Sequence, residues 1–167
     1  MPDEPDDEIL LEFLSGDVAT SIGRIVSAWA CFEYEVDELT WELARLEPED
    51  GACLTAQYVS VVSRFNALIA LARTKSVKPK NLKILTEIRS KAESGANIRN
   101  RIVHDPWYYG YKSDKTYRLQ KTAKAKLDFD YKLVGPEELK LQESKIDDLR
   151  QQFRKIRNAI LDDFWSR

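Results

Sequence analysis

Apolar residues recur at Val18, Ile22, Ile25, Trp29, Phe32, Val36, Leu39, Leu43 and Leu46, in alternating steps of four and three. That spacing draws one apolar stripe along one helix face and predicts a long amphipathic helix. Ser15 or Asp17 caps its start and Pro48 stops it, giving about 28 residues and roughly 42 Å at 1.5 Å per residue. A shorter helix is expected from about Thr55 to Ala72, with Tyr58, Val62, Phe65 and Ile69 on one side. A third runs from Asn81 to about His104 and carries Leu85, Ile88, Ala92, Gly95, Arg99 and Ile102 along one stripe. Pro106 ends it, because the residue before a proline disfavours the helical region. Ala92, Gly95 and Ala96 remove bulk one turn before Arg99 and let another helix approach closely.

Beyond Pro106 the period changes. Trp107 to Lys112 and Lys115 to Lys121 read as a hairpin around Ser113-Asp114. Leu127, Phe129, Tyr131 and Leu133 alternate with Lys126, Asp128, Asp130 and Lys132, the pattern of a half-buried strand in an antiparallel sheet of two or three strands. Gly135-Pro136 opens a last helix, proline suiting the first helical position, with Leu139, Ile146, Leu149, Phe153, Ile156, Ile160 and Phe164 along it. The expected fold is mainly α, a helical bundle of about four helices with a small antiparallel β insertion before the last one.

Length changes the picture little: at 167 residues, one domain spanning 1–167 is expected, with 1–14 as an acidic N-terminal segment and 107–134 as the β insertion. Its core is large enough to need no disulfide or structural metal. Cys31 and Cys53, with no apolar run long enough for a signal or a membrane span, point to a reducing cytoplasm and no membrane partner. A single histidine and the wide cysteine spacing leave no zinc-ligand pattern, and six isolated glycines leave no phosphate-cradling loop, so no metal and no cofactor are expected.

Charge is more informative. The net charge is only −2, yet Arg73 to Lys126 holds fifteen Lys or Arg against four acids, while the rest of the chain is acidic. Within that basic middle stands Ile98-Arg99-Asn100-Arg101-Ile102-Val103-His104-Asp105-Pro106-Trp107. An arginine on an apolar stripe needs an anion, since a desolvated, unpaired guanidinium costs several kcal/mol. A carboxylate of the first helix, with Glu33, Glu35 and Glu42 as candidates, is one source; a phosphate bound in a cleft is the other. Asn100 and His104 stand four positions apart, side by side on a helix, so the amide is placed to orient the imidazole.

This stretch resembles the signature of the HEPN superfamily, in which an Arg and a polar residue precede, by four to six positions, a His at a helix end. Arg99, Asn100 and His104 match it with four intervening residues. The likeness extends loosely over Asp17 to Phe164, with the β insertion as a departure from the minimal bundle. What the resemblance implies is metal-independent endoribonuclease chemistry: a ribose 2′-OH attacks the adjacent phosphate, leaving a cyclic phosphate and a 5′-OH, with Arg99, Asn100 and His104 as catalytic residues. One chain holds a single imidazole, so a composite site across a homodimer, as the family builds, supplies the second. Arg101, Lys112 and Arg118 are the candidate RNA-binding residues, lying among Trp107, Tyr108, Tyr109, Tyr111 and Tyr117. A toxin or defence effector restrained by an antitoxin or other partner protein fits this reading. The alternative is a non-catalytic HEPN-like dimeric module binding RNA, a nucleotide or a protein partner, with Arg99 as an anion clamp or structural ion pair.

Overall fold

The computed structural model describes residues 10–124 and 126–166, and within them the chain is mainly helical with a small antiparallel sheet. The order is β1 (Leu10–Leu11), α1 (Gly16–Ala44), α2 (Pro48–Thr55), α3 (Val61–Thr74), α4 (Pro79–His104), β2 (Trp107–Gly110), β3 (Lys115–Lys124), β4 (Lys126–Leu133) and α5 (Pro136–Trp165). The long first, third and last helices of the sequence reading are α1, α4 and α5. The helix expected over Thr55 to Ala72 is α3, which starts later, at Val61; α2 was not foreseen, so the described residues hold five helices where about four were expected. Pro48 does not stop α1; it occupies the first turn of α2, where its missing N–H costs nothing. α1 ends earlier, with Arg45 in the left-handed region (φ 57°) and Leu46 N–H donating to the Trp41 carbonyl at 3.0 Å. The same arrangement closes α3 at Ser76 (φ 58°), with Val77 N–H on the Ala72 carbonyl at 3.0 Å. Both are Schellman caps, formed without glycine. Ser60 starts α3 with a reciprocal capping box to Ser63.

Packing divides the chain into two compact units, one of Ser27–Ala96 with the chain from Lys145, the other of the chain up to Val26 with Asn97–Ser144. The first is helical. Its core gathers Trp29, Phe32, Phe65 and Phe153, all essentially buried, with Phe32, Phe65 and Phe153 in mutual ring contact at 5.8–6.0 Å. Burying such a side chain contributes about 1.5–3 kcal/mol. Gly95 belongs to this packing: a Cβ there would stand 3.1 Å from Trp29 Cζ3, and Ala92 is wholly buried. Two of the three small residues read as a seam for a second helix are therefore used by the chain's own core. α2 is held through Trp41, whose indole donates to Thr55 Oγ1 at 3.2 Å and whose ring lies where a Cβ on Gly51 would be.

In this helical unit two acid–base ladders face each other. Glu35, Glu38 and Glu42, at helical spacing on α1, meet Arg150, Arg154 and Arg157 on α5. Glu35 is buried, which pushes its carboxyl up, but hydrogen bonds and charge from Arg154 (2.6 Å) and Arg150 (2.7 Å) outweigh that and hold it below the usual range. Asp37 goes the other way. Burial dominates, and the hydrogen bond and charge from Arg64 do not bring it back, so its carboxyl lies above the ordinary value.

The second unit carries the sheet, a meander in the order β1-β2-β3-β4. β1 was not foreseen. Leu10 and Leu11, inside the segment read as an acidic N-terminal stretch over 1–14, pair with Gly110 and Tyr109; residues 1–9 lie outside the described residues. The β2–β3 turn holds Asp114 in the left-handed region (φ 55°), with its carboxylate accepting from the Tyr109 hydroxyl at 2.6 Å. The apolar side of β4 is less covered than a half-buried strand implies: Leu127 is 68% and Leu133 55% exposed.

Candidate functional site

The motif occupies the C-terminal turns of α4, in the sheet-bearing unit. Helical spacing puts Arg99, Asn100, Val103 and His104 on one face, and Asn100, Val103 and His104 are exposed while Arg99 is half-buried. Arg99 Nη1 donates to Asn100 Oδ1 at 2.9 Å. The amide thus takes the neighbouring guanidinium rather than the imidazole one turn on, and the His104 ring makes no hydrogen bond to any described residue. Glu35 and Glu42, offered as anions for Arg99, are engaged by arginines of α5. A guanidinium and an imidazole on one helix face are the group types that hold a phosphate and move a proton.

The residues that hold this helix end are ones the sequence did not single out for the task. Asp105 N–H donates to the Arg101 carbonyl at 3.0 Å, and the Trp107 indole donates to the Ile102 carbonyl at 2.9 Å, satisfying last-turn acceptors that a helix end leaves open. Leu119 N–H bonds the Pro106 carbonyl at 2.9 Å, tying β3 to the chain directly after the motif. Arg118, read as an RNA contact, is 8% exposed and stands 3.6 Å from Asp105. Its place on β3, opposite Trp107, turns it toward the helix end, so it braces the motif instead of presenting charge to solvent. Lys112 is exposed in the β2–β3 turn and Arg101 is half-buried in the last turn of α4.

Within the same unit a shallow cavity of about 480 Å³ is lined by Glu12, Phe13, Leu14, Pro106 and Trp107. Its lining holds one acid and no cation, so it does not suit a phosphate. Among the described residues no three His, Cys, Asp or Glu side chains cluster as a metal site requires, both cysteines are free, and no helix is long and apolar enough to cross a membrane. The α5 arginines were legible in principle: their steps of four and three mirror the glutamates of α1. Asp105 and Arg118 had no such signal, because they meet only through the fold. Comparison of the chain with protein-family models, with curated proteins and with solved structures finds no match.

Proposed function

We propose that the chain is a metal-independent endoribonuclease of HEPN type, acting by 2′-OH transphosphorylation at a site completed across a homodimer. The observation that carries this reading is the shared helix face at the end of α4, where a half-buried Arg99 stands beside exposed Asn100 and His104. Arg99 is the cation for the pentavalent phosphate, and His104, with its copy from a second chain, supplies the base and the acid. Val103, 36% exposed on that same face, is an apolar contact for the second copy. Arg101 and Lys112 flank the face as phosphate contacts. An enzyme of this kind suits a toxin or defence role under the restraint of a partner protein.

One observation favours a second reading. With Asn100 bonded to Arg99 and no described residue orienting His104, the motif also suits a non-catalytic dimeric module that clamps an anion. The deciding experiment is cleavage of end-labelled total RNA and tRNA in EDTA by wild type, His104→Ala and Arg99→Ala, with solution mass measured in parallel. Cyclic-phosphate ends from wild type alone, on a dimeric protein, are expected. Failure of folded, dimeric wild type to cut either RNA pool would overturn the enzyme and leave the module; a strict monomer at micromolar concentration would remove the composite site.

A further inference from the structure

The antiparallel register sorts the residues of the sheet in a way the linear sequence hides. Tyr117 pairs with Leu133, Leu119 with Tyr131 and Lys121 with Phe129, and directly opposed residues share a face. Tyr117 and Leu119 are buried, at 8% and 7% exposure. Further along, the same face opens: Lys121 is exposed, Phe129 is 36% and Leu127 68% exposed, and Leu133 at the strand's other end is 55% exposed. The described charged residues on this face are Lys115 and Lys121, both cations. Asp130 belongs to the opposite face, where it pairs with Lys132 at 2.7 Å. An exposed ring with a lysine directly across the ladder, on a face without a described carboxylate, combines the two elements that hold unpaired nucleotides: a surface for a base to stack on and a cation for its phosphate. A second copy of the same face is the poorer occupant, because a two-fold contact sets like cations against each other.

We infer that the open end of the β3–β4 face, centred on Phe129 and Lys121, is a stacking platform for single-stranded RNA, distinct from the Arg99–His104 face and serving to hold the strand that is cut. The inference takes its RNA from the ribonuclease reading, but its test does not require cleavage. Fluorescence anisotropy with a labelled single strand of about twelve nucleotides is measured on the full chain carrying His104→Ala. Adding Phe129→Ala is expected to weaken binding roughly 5- to 150-fold, the effect of losing one stacked base, while Phe129→Trp retains it. Lys121→Gln is expected to lower the salt slope by about one and to weaken all sequences alike. A duplex of the same sequence should gain nothing from Phe129.

Unchanged affinity in Phe129→Ala, with the fold intact by circular dichroism, overturns the platform. So does a drop in solution mass on that substitution, which would assign the face to a contact between copies. If His104→Ala protein binds RNA through Phe129 while wild type cuts none, the platform stands and the enzyme falls. Cleavage indifferent to Phe129 gives the reverse.

Discussion

Asp105 and Arg118 face each other at 3.6 Å, Oδ2 to Nε, with both side chains largely withdrawn from solvent where α4 gives way to the sheet. A pair so enclosed adds little net stability when whole, but losing one member strands the other. Arg118→Met and Asp105→Asn are each expected to destabilise the fold by about 3 kcal/mol in urea unfolding. The double variant should cost less than the sum, and additive losses would show that the two residues do not act together.

Trp107 offers a gentler perturbation of the same helix end. Trp107→Phe keeps a ring but removes the indole hydrogen bond to Ile102, a loss of about 1 kcal/mol. Amide exchange over residues 101–105 is expected to quicken, and any RNA cleavage to fall through turnover more than through affinity, because the backbone turn that carries His104 is held less firmly. Unaltered exchange in that turn would mean the bond contributes nothing to the site.

Glu35 gives the helical unit a pH signature. Its carboxyl sits below the ordinary value of 4.5, so the stability it confers is complete above that value and fades as pH falls through the lower folded value. Glu35→Gln, which removes the buried negative charge that Arg150 and Arg154 pair with, is expected to cost about 2–3 kcal/mol near neutrality, a modest figure because Arg154 is half-exposed and screened. The gap between variant and wild type should narrow steadily below about pH 4. Asp37 works against this trend: its raised carboxyl carries a cost at neutral pH that protonation relieves. Chemical denaturation across pH 3 to 7 reads both, and a gap constant with pH would contradict the sign assigned to Glu35.

The two packed glycines should behave differently. Gly51→Ala drives a methyl into the Trp41 ring, and overpacking of this kind costs about 1–3 kcal/mol. Gly95→Ala needs only a few tenths of an ångström from Trp29, and alanine recovers about 1 kcal/mol of helix propensity, so its net effect should lie near zero. Thermal unfolding ranks them. Solution mass of Gly95→Ala is expected to match wild type, since that glycine answers to Trp29; a lost dimer would restore it to an interface between chains.

Much of the architecture was legible because it depends on neighbours in the chain. A stripe at steps of three and four made α1, α4 and α5 readable, and alternation marked β3 and β4. The errors share a cause. Arg45 and Ser76 end helices in a conformation that glycine usually advertises, and β1 is too short to carry a period, its two residues being strand only through Gly110 and Tyr109.

By itself the sequence determined the helical class, the boundaries of the long helices within a few residues, and the co-location of Arg99, Asn100 and His104 on one side of the last two turns of a helix, since spacing within a helix is geometry. Only tertiary structure decided which charges are spent and which are presented. It turned Arg118 inward to Asp105, matched Glu35 with α5, filled Gly95 with an indole, and set Lys121 beside an open Phe129. Each of those outcomes depends on which residue arrives from far along the chain, and desolvation lets a buried charge persist only where such a partner arrives.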